Sequence, residues 1–336
     1  MVASASSVSL VDLDHPIPID PGRSRSDFAF RGSTAAIAAL VLVVFGSIGA
    51  FLAYQSVPTF QRYGTGFLTG STFNPQLNKV GIASTLLGTF KVAAVALVIA
   101  FPLALACALY ISEYAPTGLK SLLVGMVDLM AAVPSVIYGI WGALLLMPHV
   151  KYISRWISQY FGWIPIFRVH GDPNSATWSE SQFVNSAFVA GIIVAMMVLP
   201  IACSVMRGVF AQAPPGEREA AYALGSTRWG VIRTVVLPFG RGGIIGGTML
   251  GLGRALGETI AVLLVINLSF SFNFRLLQSG FSTISGLIAN DFGDASKAQL
   301  AALLTAGLVL FVMTLAVNTV AAIFISRSRS GSATEI

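Results

Sequence analysis

Two charged residues, Arg254 and Glu258, interrupt a stretch that is otherwise apolar enough to cross a membrane. Residues 250–266 read LGLGRALGETIAVLLVI and hold no other charge. An ionised side chain costs roughly 2.5–3.5 kcal/mol at the centre of a membrane helix, so a chain keeps one only where it has something to face. On a continuous helix the i, i+4 spacing sets guanidinium and carboxylate on one face, within pairing distance. That face is expected to turn inward, towards a partner helix or a polar pathway. A guanidinium offers a planar fork of donors that matches two oxygens of a tetrahedral anion, and it does not lose its charge. An oxyanion is therefore the first cargo to consider.

The elements that must position this pair are membrane helices. Of 336 residues, 55% are hydrophobic and 10% charged, where a soluble domain carries about 25% charged residues. The composition predicts an all-α polytopic membrane protein. Apolar runs near 32–54, 81–111, 121–148, 184–206, 242–267 and 298–326 predict six transmembrane helices, each at or beyond the ~20 residues a bilayer needs. Residues 1–31, with DHPIPIDPGRSRSD, read as a disordered cytoplasmic tail rather than a signal peptide, and 327–336 as a second cytoplasmic tail. Between them lies one membrane domain, 32–326. The net charge of +6 is scattered among loops, which argues for topology rather than nucleic acid. With the N-terminus inside, eleven Lys and Arg fall in cytoplasmic segments and seven outside, and the clusters at 23–31, 207–241 and 327–329 share one side. Both termini are thus expected in the cytoplasm. Outside segments are expected at 55–80, 149–183 and 268–297. The middle one holds KYISRWISQYFGWIPIF, residues 151–167, which suits a short helix at the membrane interface.

The loop 207–241, RGVFAQAPPGEREAAYALGSTRWGVIRTVVLPFGR, predicts two short helices. Pro214 and Pro215 suit a helix start, Glu217 and Glu219 suit its first turn, and Gly225 can end it. Trp229, Ile232 and Val236 continue at amphipathic spacing until Leu237–Pro238 breaks the helix. The stretch EAAYALGSTRWGVIRTVVLP resembles the EAA loop of ATP-binding-cassette (ABC) importer permeases: Glu219, Ala220, Ala221, Gly225, Leu237 and Pro238 match, with Val235 where Ile is usual. YGTGFLTGSTFNP at 63–75, ISEYAP at 111–116, AAVPSVIYGIWG at 131–142 and GLGRALGETIAV at 251–262 resemble the permease subunits of phosphate importers, the PstC type. Sulfate and molybdate permeases are similar around the arginine but carry Phe or Tyr after the glutamate, where this chain has Thr259.

The resemblance implies a MetI-like permease fold and ATP-driven import of inorganic phosphate. It implies a second permease of the PstA type, two ATPase subunits of the PstB type and an extracytoplasmic phosphate-binding protein of the PstS type. Glu219, Ala220, Ala221, Gly225, Leu237 and Pro238 would couple to the ATPases, and Arg254, Glu258 and Thr259 would lie on the substrate pathway. The lack of any GxxxxGK(S/T) agrees with ATP being bound by a partner. Three readings of the charge pair stay open. Glu258 holds Arg254 while the path is empty, or it accepts a proton from hydrogen phosphate, or the pair pins helices together.

Other polar residues invite blander readings. Cys107 and Cys203 sit in apolar runs without CxxC spacing and are expected to pack. His149, His170, Asp172 and Glu180 lack metal-ligand spacing. Lys91 is expected to snorkel outward, and Asp128 lies near Lys120. Gly242, Gly243, Gly246, Gly247, Gly251, Gly253 and Gly257 suggest close helix packing, since Leu256 spoils a dinucleotide fingerprint. No HExxH, GxSxG or other nucleophile–base set supports an enzyme. A self-sufficient secondary anion transporter is the rival reading, and it would not need the EAA loop.

Overall fold

A computed structural model describes residues 25–74, 78–172, 174–175 and 179–327. The expected tails therefore lie outside the described residues up to 24 and from 328. The last part of the first one is not irregular: α1 (Arg25–Tyr63) is helical from Arg25, with Asp27 in the first turn where the macrodipole favours it. The described chain falls into two compact units divided after Ala50. The first comprises the opening part of α1.

In the second unit α1 runs through Pro58 to Tyr63, well past residue 54. The short α2 (Gly66–Thr69) and an antiparallel ribbon, β1 (Phe73–Asn74) and β2 (Lys79–Val80), follow it. α3 (Ala83–Leu109) continues into a π-turn at Tyr110–Tyr114. The third apolar run is not one helix. α4 (Thr117–Ala132) stops at Val133 and Pro134, both extended, because proline disfavours helical backbone in the residue before it. α5 (Ser135–Trp141), a π-turn at Gly142–Leu146 and α6 (Met147–Phe161) then form one rod, Ser135–Phe161. The separate interfacial helix expected at 151–167 is the end of that rod, followed by a 3-10 turn at Pro165–Phe167. Ser154 and Ser158 face inward and Tyr152, Trp156 and Tyr160 outward.

After α7 (Ser181–Val184), α8 (Ala187–Phe210) begins at Ser186, whose hydroxyl accepts the Val189 N–H. The loop 207–241 contains α9 (Pro215–Ala223), α10 (Arg228–Val231), a π-turn at Ile232–Val236 and α11 (Leu237–Phe239). α12 (Arg241–Gly257) leaves at a 67° bend. The bend sits at Gly240 rather than at Leu237–Pro238. Pro238 is carried inside the helical run Arg228–Phe239, directly after the π-turn, whereas a Cβ at Gly240 would come within 2.3 Å of the Phe210 ring. α13 (Ile260–Leu263), α14 (Ile284–Asp291) and α15 (Lys297–Arg327) complete the chain. Five described helices are long and apolar enough to span a membrane, and the count is six when the bent pair Arg228–Phe239 and Arg241–Gly257 is taken as one broken span.

α3 and α8 pack side by side through small residues, including Ala93, Ala96, Ala190 and Ala195. α12 lies on α8 along Gly243, Gly247 and Gly251, where an added Cβ would fall 2.5, 3.0 and 2.5 Å from α8 atoms. Lipid offers no hydrophobic drive between helices, so such close backbone approach is what holds them. Asp128 pairs with Arg207 of α8 at 3.4 Å, while Lys120 donates to the Ser112 carbonyl.

Candidate functional site

α12 carries Arg254 in its last turn and ends at Gly257. Glu258 has extended backbone, with ψ at 127°, so the continuous helix that would place it beside Arg254 does not exist. No ion pair joins the two among the described residues. The Glu258 carboxylate instead accepts the Ala261 N–H at 3.3 Å, in the first turn of α13. Its charge faces the unsatisfied amides of a helix start, where an anion is favoured. Its carbonyl accepts the Ser285 hydroxyl at 2.7 Å. Thr259 turns back to donate to the Gly257 carbonyl at 3.2 Å. Glu258 and Thr259 thus organise the break, and Arg254 is exposed on α12, with no carboxylate paired to it among the described residues.

Two broken helices meet here. Gly139 of α5 approaches α13 so closely that a Cβ would lie 2.8 Å from the Ala261 Cα. Tyr138, beside it, donates at 2.8 Å to the Met130 carbonyl, which also accepts the Val133 N–H at 3.3 Å where α4 stops. Discontinuous helices are how membrane proteins place backbone dipoles and polar side chains at mid-depth.

The segment after α13 folds back over α3. Thr89 accepts the Ile284 N–H at 3.0 Å, and Lys91 donates to the carbonyls of Asn273 and Arg275 at 3.1 and 3.3 Å. Lys91 is 7% exposed and also sits 5.5 Å from the Phe281 ring centre. It reaches the expected loop, but as a buried fastening rather than a solvated end. Glu180 pairs with Lys151, and Asp172 accepts the Asn174 N–H, so these two carboxylates have separate partners.

In the loop 207–241, α9 ends in a Schellman motif. Ser226 N–H bonds the Ala221 carbonyl, Gly225 N–H bonds that of Tyr222, and Gly225 has φ +81°. Glu219, Ala220, Tyr222, Leu224 and Trp229 are exposed, Ala221 and Leu237 half-buried, and Pro238 exposed. A sequence profile described as "binding-protein-dependent transport system inner membrane component" matches residues 100–330. The chain belongs to this permease family. A PstC phosphate transport permease of Xylella fastidiosa is 38% identical over 90% of this permease and 92% of that protein. Its Pasteurella multocida counterpart is 36% identical over the same shares, and one from Methanocaldococcus jannaschii, described as probable, is 37% identical over 86% and 90%. The solved structure of a bacterial alginate ABC transporter, in complex with an alginate-bound periplasmic protein, matches the fold with TM-score 0.54, 17% identity and coverage of 90% and 96%.

Sequence reasoning missed two features of this permease. Tyr138 lay inside a quoted motif, but nothing marked its hydroxyl as the partner of the α4 terminus. Glu113 and Arg218 form an ion pair at 3.1 Å that joins the end of α3 to α9. Glu113 also lay within a quoted motif, ISEYAP, and a carboxylate at the end of an apolar run was the available signal.

Proposed function

We propose that the chain is the permease subunit of an ATP-driven importer that carries inorganic phosphate across the cytoplasmic membrane. The observation that carries this reading is the identity of 38% with a protein named as a phosphate permease, sustained over 90% of the chain. The geometry agrees with it. An exposed guanidinium in the last turn of a broken span, with no carboxylate paired to it among the described residues, offers both charge and a planar pair of donors to an oxyanion that has left water. Arg254 would receive the cargo, with Glu258 and Thr259 setting the shape of the break.

The partners in this reading are a second permease of the PstA type, two PstB-like ATPases and an extracytoplasmic PstS-like binding protein. α9 would dock on an ATPase through Glu219, Ala220 and the exposed Tyr222 and Leu224. Both termini would then lie in the cytoplasm with the loop 207–241. ATP binding and cargo bias a two-state element, and no covalent chemistry occurs on this chain. The test is ATP-dependent uptake of labelled phosphate by the assembled importer with excess sulfate present. Uptake that sulfate leaves intact supports the assignment. Competition by sulfate moves the chain to the sulfate or molybdate permeases, and uptake without ATPase subunits would make it a secondary transporter.

Two further results are expected in the same assay. Glu258→Gln keeps an oxygen able to accept the Ala261 N–H, so uptake should stay within about threefold of the parent. Glu258→Ala removes that cap, at about 1 kcal/mol, and should lower both uptake and thermal stability. Abolition by Glu258→Gln would restore the proton-acceptor role. Gly225→Ala meets no atom within 4 Å, yet forces a Cβ into the left-handed region at a cost of roughly 1–2 kcal/mol. Several-fold weaker retention of the ATPases is expected on purification, with Gly225→Asn milder.

A further inference from the structure

The ATPase-facing loop has to pull on something. α9 presents an exposed outer face, and among the described residues its side-chain hydrogen bonds to the spans all come from Arg218. Arg218 places both terminal nitrogens on Glu113, Nη2 to Oε1 at 3.1 Å and Nη1 to Oε2 at 3.2 Å. Nη2 also donates to the Phe210 carbonyl at 2.6 Å, at the last turn of α8. Glu113 is held in turn by the Ser112 hydroxyl at 2.8 Å. One guanidinium therefore joins α9 to the ends of α3 and α8, the two helices at the centre of the packing. Among the described residues, no other ion pair attaches residues 215–241 to the rest of the chain.

The pair is poorly explained as glue. Its side chains are 10% and 24% exposed, and the Arg218 Nε is buried without a partner among the described residues. Desolvating two charges offsets most of their attraction, and buried pairs are often replaceable by apolar residues without loss of stability. What a bidentate pair adds is a fixed direction between the elements it joins.

We propose that Glu113 and Arg218 form the clamp through which movement of α9 is transmitted to α3 and α8, making both positioning residues for transport. This rests on the reading that α9 docks on the ATPase. At its other end α3 carries Lys91, which holds the Asn273 and Arg275 carbonyls beyond the helix break. A displacement of α3 by the clamp thus reaches the segment that ends at Ser285 on Glu258.

The test uses the whole importer in proteoliposomes, with Glu113→Gln, Arg218→Gln and the exchange Glu113→Arg with Arg218→Glu. Three quantities are read from each preparation: ATPase subunits retained, ATP hydrolysed, and phosphate transported per ATP. Each single variant should retain its ATPases and hydrolyse ATP within about twofold, while phosphate per ATP falls roughly tenfold, within the 5–150-fold span of ordinary coupling. The exchange rebuilds the ion pair but leaves the Phe210 carbonyl without its donor, so it should recover the ratio only in part, to within about threefold of the parent. An unchanged ratio in the single variants would overturn the clamp. So would loss of ATPases or of folded protein in step with uptake, with no recovery on exchange, since that is the behaviour of a fastening. Glu219→Lys separates the underlying reading: ATPases retained at parental level in that variant would overturn docking through α9 and the clamp with it.

Discussion

Arg254→Ala should reduce ATP-dependent phosphate uptake at least about 30-fold while leaving the melting temperature of the permease unchanged or slightly raised. Truncating one partner of a desolvated charge contact costs 2–5 kcal/mol in typical interfaces, which is roughly 30- to several-thousand-fold. Arg254 is exposed on α12 and no carboxylate pairs with it among the described residues, so its removal strands no counter-charge and opens no cavity. A charge removed from an apolar span is, on its own, a gain. These opposed effects on transport and stability separate a cargo contact from a structural pair. Arg254→Lys keeps the charge but loses the planar fork, and should fall between parent and alanine. Uptake and melting temperature measured on one preparation decide the matter: surviving uptake, or a melt that drops together with uptake, would remove Arg254 from the pathway.

The contrast between Arg254 and Glu258 also shows how far the sequence could be read. Hydropathy finds a span because it sums apolar side chains, and it marked an apolar run at each of them, but it drew the third and fifth runs straight across the breaks at Pro134 and Glu258. It is blind to backbone angles, and GETIA in the middle of such a run reads as helix. The break at Glu258 depends on Ser285 holding the Glu258 carbonyl from 27 residues away, and on the Ala261 amide finding the carboxylate. Proline shows the same limit. Pro58, Pro102 and Pro200 lie within continuous helices, whereas Pro134 ends one. At Pro134 the Met130 carbonyl accepts both the Val133 N–H and the Tyr138 hydroxyl, so the end of α4 is held locally and by a side chain of α5. Local patterning did place the helix of the EAA loop, from Pro215 to its stop at Gly225, because capping and φ are local matters. The partners of Lys91 and Arg218, 182 and 105 residues away, were beyond it.

Gly88→Ala should be among the most damaging single-methyl changes in the permease. A Cβ there would lie 2.0 Å from the Ser282 carbonyl oxygen and 3.1 Å from the Phe281 ring. The first of these is backbone and cannot rotate aside. The displaced segment is the one that Thr89 anchors at Ile284, that Lys91 holds at Asn273 and Arg275, and that sets Ser285 on the helix break. Overpacking costs typically 1–3 kcal/mol, and a backbone clash in a segment pinned on both sides of the contact belongs at or above the upper end. Gly208→Ala is the control. It lies inside α8 with nothing within 4 Å of its added Cβ, so it should gain the roughly 0.5–1 kcal/mol by which alanine exceeds glycine in a helix. Thermal unfolding of the purified permease should therefore move in opposite directions for the two substitutions, with uptake falling only for Gly88→Ala. An unshifted melt for Gly88→Ala would mean that the segment over α3 gives way freely. In that case Lys91 and Thr89 do not hold it, and the shape of the break at Glu258 must come from α12 and α13 alone.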